Sequence, residues 1–235
     1  MHILVVNPNT TASMTDKIGA AAQAVAGQDT RITAVNPDTG PAAIQGAEDG
    51  AAALPGLFAL FDAAMASDET YDAVIIACFD DTGLWPLKAR SPVPVLGIGE
   101  AGYHAAMLVA QRFSVVTTLA ASLPVIEANI ADAGFAARCA RVRASDVPVL
   151  DLEDPRSGAR GRIAREIAAA ITEDAPQAII LGCAGMADLA RSLSDEFRLP
   201  VIDGVAAAVT FAQALHGAGI SAPASFAPAE TRPVA

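Results

Sequence analysis

Two thiols in this sequence stand where side chains can reach a ligand. Cys78 closes the apolar run of "DAVIIACFDDTG" (72–83), and Cys183 closes that of "QAIILGCAGM" (177–186). The stretch "AAMASDETYDAVIIAC" (63–78) aligns with "AAAITEDAPQAIILGC" (168–183) at an offset of 183 − 78 = 105. A lone cysteine before a turn is ordinarily a small hydrophobe. A matched pair at equivalent strand ends suits a specific chemistry. Moving a proton from one face of a stereocentre to the other needs two acid–base groups, one ionised and one protonated. The roles swap for the reverse reaction, so two like groups serve. Cysteine's reference pKa of about 8.5 puts either state within reach.

The flanks of the two thiols differ. "GCAGMADLARSL" (182–193) reads as a strand, a Gly-rich turn and a helix. A helix N-terminus there would favour a thiolate at Cys183 and could hold a developing enolate oxygen. Cys78 is followed by Asp80 and Asp81. Their charges would oppose a thiolate unless both are turned away as turn and N-cap residues, which is the expectation here. Cys183 is then the easier thiolate. Cys139 has no counterpart in the repeat and is a bystander.

The elements that must position these groups alternate regularly. β-branched apolar runs at 3–6, 31–35, 73–77, 93–97, 113–117, 139–143, 178–182 and 199–203 predict strands. Helical patterns lie between them at 14–26, 46–66, 101–111, 122–133, 158–174, 185–196 and 205–216. Apolar runs without alternation belong to strands buried on both faces, as in parallel α/β sheets. A second repeat pair, "VPVLGIGEA" (93–101) on "LPVIDGVAA" (199–207), keeps nearly the same offset, and "ILVVNPNT" can be laid on "FSVVTTLA". The fold class is therefore α/β, with two similar lobes, each a mainly parallel four-stranded sheet flanked by helices. A pseudo-twofold axis relates them, and the site lies between. The expected division is 1–97 plus about 204–220, then 98–203, with 221–235 as a flexible tail. Ligands in such sheets bind outside the C-terminal strand ends, so the two thiols would face one cleft.

Bulk properties narrow the function. The 235 residues carry a net charge of −11 with scattered basic residues, which gives nucleic-acid binding little support. No apolar run is long enough to span a bilayer, and the N-terminus does not read as a signal peptide. A cytoplasmic protein is expected. Three cysteines, an odd number with no CxxC spacing, and three histidines isolated from them argue against a disulfide framework and a zinc site. His104 reads as a satisfied core or interface histidine. Alanine-rich helices suit assembly into a homo-oligomer.

The chain resembles the hydantoin/allantoin racemases of the aspartate/glutamate racemase superfamily. The resemblance rests on "VVNPNTTASMT" (5–15), "ACFDDTGL" (77–84), "VLGIGEAGYHAA" (95–106), "FSVVTTLAASLPVIEANI" (113–130), "VRASDVPVLDLE" (142–153) and "IILGCAGMADLA" (179–190), and extends to about Gly219. It implies a cofactor-independent racemase working through Cys78 and Cys183, without metal. It places a cyclic ureide against Asn7, Asn9, Thr10, Ile44 and Phe79 of one lobe, and Thr117, Thr118, Ala184 and Gly185 of the other. Asn and Thr side chains and turn N–H groups can read ureide N–H and C=O edges, and Phe79 would wall a C5 substituent. Thr82 stands where the family pattern has proline, a departure expected to affect turn rigidity more than chemistry. A dicarboxylate or amino-acid racemase, a cysteine-dependent cis–trans isomerase and a thiol redox sensor are the alternatives.

Overall fold

The computed structural model describes residues 1–223; the tail expected beyond 220 lies mostly outside them. The strands are β1 (His2–Val6), β2 (Arg31–Val35), β3 (Ala73–Ile76), β4 (Val95–Gly97), β5 (Phe113–Thr117), β6 (Cys139–Ala144), β7 (Ala178–Gly182) and β8 (Val201–Asp203). They form two four-stranded sheets of order β2-β1-β3-β4 and β6-β5-β7-β8, and every pairing is parallel. The helices are α1 (Ala12–Val25), α2 (Ala47–Met65), α3 (Leu84–Arg90), α4 (Ile98–Val109), α5 (Leu123–Asp132), α6 (Ala159–Asp174), α7 (Ala190–Phe197) and α8 (Gly204–Gly217).

Burial follows from the period of two along each strand. On β1, Ile3 and Val5 enter the apolar core between the sheets, while Leu4 and Val6 enter an outer core under α2 and α3. β7 does the same: Ile180 faces the middle, and Ile179 and Leu181 pack outward against Ile163, Ile167 and Leu193. The centre strands are consequently buried on both faces, whereas β2 and β6 at the edges are only partly buried. Helices α1, α4, α5 and α8 fill the middle layer, so the lobes share one core rather than meeting at a wet interface. Among the described residues, no helix is long and apolar enough to cross a membrane.

Two local readings change. Leu84–Arg90 is a short helix with no counterpart in the sequence pattern, because seven residues are too few to show a 3.6-residue period. The stretch after Cys183 is not a turn into an α-helix. Ala184–Leu189 winds as a 3-10 helix, and α7 begins only at Ala190.

Candidate active site

In each sheet the chain runs outward from the first strand to an edge and then crosses back. The crevice therefore opens between β1 and β3 in one lobe and between β5 and β7 in the other. Residues just after these four strands converge on one small cavity of about 30 Å³. It is lined by Asn9 after β1, by Cys78, Phe79 and Asp80 after β3, by Thr118 after β5, and by Cys183 and Ala184 after β7. Ala77 and Gly182 at the strand ends, with Ile44, Met14, Ser122 and Val149, complete the wall. A groove of about 630 Å³ between α4, α8 and β4 is far larger, but no cysteine borders it.

Each thiol is held by its own backbone in the same way. The N–H of Asp80 points at the Cys78 sulfur, and the N–H of Gly185 at the Cys183 sulfur, two residues on in both cases. Burial pushes both thiols up. Cys78 rises well above the ordinary thiol range, and the Asp80 carboxylate adds to the effect. Cys183 rises to about 12, with the Gly185 N–H pulling it down and Asp80 again pushing it up. Cys183 is the less raised of the two.

The two aspartates divide. Asp81 is turned away, as expected: its carboxylate accepts from the N–H groups of Gly99 (3.0 Å) and Glu100 (2.8 Å) and caps α4. The repeat explains why. Asp203 caps α8 through Val205 and Ala206. Gly97 is its equivalent at an offset of 203 − 97 = 106, and its missing side chain leaves the space that Asp81 fills. Such a cap is worth about 1 kcal/mol. Asp80 is not turned away. It lines the cavity, accepts from the Ser122 hydroxyl at 3.1 Å and from the Gly46 N–H, and burial raises it to about 6.

Thr82 also bears on chemistry, against expectation. Its hydroxyl donates to the Cys78 sulfur at 3.5 Å, which proline could not do, and favours the thiolate. Thr82→Val is expected to lower kcat/KM about threefold to tenfold, the value of a hydrogen bond worth about 1 kcal/mol. Steady-state kinetics check it.

The other sequence-derived positions separate by geometry. Asn9, Ile44, Phe79, Thr118 and Ala184 border the cavity. The Phe79 ring, however, lies edge-on against Tyr103 in the middle core, at 5.6 Å between centroids. Asn7, Thr10 and Thr117 do not border it. The Asn7 amide donates to Asn9 and Thr15, the Thr10 hydroxyl to the Pro41 carbonyl, and the Thr117 hydroxyl to the Gly182 carbonyl. Gly185 acts through its N–H. His104 is exposed on α4 rather than in the core, satisfied by the Glu100 carbonyl and edge-on to Phe135. Sequence reasoning missed Met14, Ser122 and Val149. Their side chains arrive from helices and loops whose approach no strand-end pattern announces. Among the described residues, no cluster of three His, Cys, Asp or Glu could hold a metal ion.

The cavity has room for about two waters and none for a five-membered ring. Ligand entry therefore requires the walls to part. Lys17 of α1 reaches across to the Leu152 carbonyl (2.8 Å) and the Glu153 carboxylate (3.1 Å), and the Val149 N–H donates to Gln45. These bonds clasp the 149–153 segment over the cavity. The loop carrying Gln45 and Ile44 is seated on α2 where Gly56 lets the Thr39 carbonyl approach; a Cβ there would stand 2.2 Å from that oxygen.

Comparison with known proteins agrees with this architecture. Residues 3–212 match the family model described as Asp/Glu/Hydantoin racemase. A hydantoin racemase from Rhizobium meliloti is 44% identical over 219 residues, covering 93% of this chain and 90% of its own. The structure of an allantoin racemase from Klebsiella pneumoniae superposes with a TM-score of 0.91 at 43% identity, covering 95% of this chain and 90% of its own. An allantoin racemase from Pseudomonas fluorescens gives 0.90 at 40% identity, covering 99% and 100%.

Proposed function

The chain belongs to the Asp/Glu/Hydantoin racemase family, and from that premise we propose that it racemises C5 of 5-substituted hydantoins, allantoin included, with Cys78 and Cys183 as the two bases. The observation that carries this reading is the pair of free thiols brought from two lobes to one cavity. One sulfur takes the C5 proton, which the adjoining carbonyl acidifies, and the other delivers a proton to the opposite face. The carbanion is held as an enolate, whose oxygen needs N–H or O–H donors in the cavity wall. In this reading the adjoining carbonyl acidifies the C–H enough for a thiolate to remove it, so no cofactor is called on.

The wall supports a neutral substrate. No arginine or lysine lines the cavity among the described residues, so a dicarboxylate would have no cationic clamp. Thr118, Ser122 and Asn9 supply hydroxyl and amide groups that match a ureide's alternating N–H and C=O edge. We read the protein as a cytoplasmic homo-oligomer; Leu108 and Val109 are large apolar side chains left exposed at the end of α4. Polarimetry with single enantiomers of benzylhydantoin, isopropylhydantoin and allantoin tests the function. Decay of rotation to zero is expected for at least one of them. Inertness toward all three, with racemisation of aspartate or glutamate, would overturn the substrate class.

A further inference from the structure

The turns that follow the two thiols differ in sequence, and one of the differences puts a charge on the cavity wall. Two residues beyond each thiol stand Asp80 in the first lobe and Gly185 in the second. Both use their N–H on the neighbouring sulfur, but only Asp80 adds a carboxylate. That carboxylate is the one titratable side chain besides the thiols in the described wall, where no histidine, lysine or arginine is present. It is 9% exposed and anchored from the opposite lobe by Ser122, while Asn129 donates to its backbone carbonyl at 2.9 Å. Its charge is felt by both sulfurs.

A two-thiol mechanism needs one thiolate, so one proton must leave the pair and be kept nearby. We propose that Asp80 is the acceptor of that proton, holding it while either cysteine acts as the thiolate. The S–H bond breaks with its electron pair left on sulfur, an O–H bond forms on the carboxylate, and the reverse transfer restores the resting state. The cavity keeps one negative charge throughout, and no co-reactant is consumed. This rests on the racemase reading above.

The electrostatic surroundings fit. The Asp80 charge acts on Cys78 on its own turn and on Cys183 from the β7 end, both in the same wall, and on the Tyr103 phenol of α4, which lies outside that wall. Lys17 and Glu153 act on Cys183 with opposite signs, and Asp81 is engaged with Glu100 and Lys88. Burial holds both thiols protonated, so the resting form is one carboxylate and two thiols. The thiolate is drawn on only with substrate in place.

The test is Asp80→Asn, which keeps shape and removes the charge. In the wild type, kcat/KM should fall as pH drops below about 6, where the carboxyl takes its own proton. In Asp80→Asn that limb should vanish, and activity at pH 7 should fall at least about 100-fold. Activity should then climb with pH as a thiol ionises directly. Thiolate absorbance near 240 nm, read without substrate, should show both thiols ionising about one to three pH units lower in the variant. Ser122→Ala, which removes a donor that holds the carboxyl down, should move the acid limb upward and serves if Asp80→Asn does not fold. An unchanged acid limb with activity within twofold, or thiol titrations that do not move, overturns the proposal. A wild type inert on every hydantoin defeats the racemase reading instead, and the substrate-free titration still reads the coupling of Asp80 to the thiols.

Discussion

Cys78→Ser and Cys183→Ser should each lower racemisation by at least about 10³-fold, because a hydroxyl is far too weak an acid to exchange protons at working pH. The two variants should not be equivalent in every assay. With Cys183 intact, one enantiomer keeps a base on its C5–H face, and with Cys78 intact the other does. In D2O each variant should therefore exchange C5 of one enantiomer only, and opposite enantiomers in the two. Proton NMR of the C5 position reads this directly. Full racemisation by either variant would defeat the two-base mechanism. Cys139→Ser should leave activity unchanged, since Cys139 starts the edge strand β6 and does not border the cavity.

Gly182→Ala should damage the enzyme severely from outside the reacting groups. Gly182 pairs with Thr117 in the β5–β7 register, and the Thr117 hydroxyl donates to its carbonyl at 2.8 Å. A Cβ at Gly182 would stand 2.6 Å from the Thr117 Cβ and 2.8 Å from its Cα. Since Thr117 belongs to a centre strand, that backbone cannot give way, and β7 must move just before it delivers Cys183. Overpacking of this kind costs about 1–3 kcal/mol. A displacement of about 1 Å at the thiol can cost about 100-fold in rate. Thermal unfolding and kcat, measured together, check both effects. Gly217→Ala is the control: nothing stands within 4 Å of an added Cβ there, so Tm and kcat should both hold. A Gly182→Ala enzyme of wild-type activity would mean that the β7 end tolerates movement.

Much of this was legible in the sequence because strands buried on both faces leave an unmistakable mark. "AVII" and "AIIL" have no polar position at all, since each residue enters either the middle or an outer core. Parallel pairing follows from the helices between them, and the strand-end rule then places Cys78 and Cys183 at one cleft. The repeat carried further than expected, down to the helix cap that Asp81 supplies for α4 and Asp203 for α8. Short pieces were illegible: α3 and the 3-10 turn after Cys183 lack the length to show a period.

The sequence by itself thus determined the two sheets, their internal repeat and the meeting of two thiols, because these depend on which residues must leave water. Only the tertiary structure decided the chemistry around the thiols. Asp80 and Asp81 are neighbours of identical type, yet one caps a helix 18 residues on and the other faces both sulfurs. Thr82, which looked like a turn residue, donates to Cys78. Ser122, Met14 and Val149 come to the cavity from remote segments. Hydrophobic burial is non-directional and written in composition along the chain. A hydrogen bond or a charge at close range depends on distances of an ångström or two, and those exist only once the two lobes have packed.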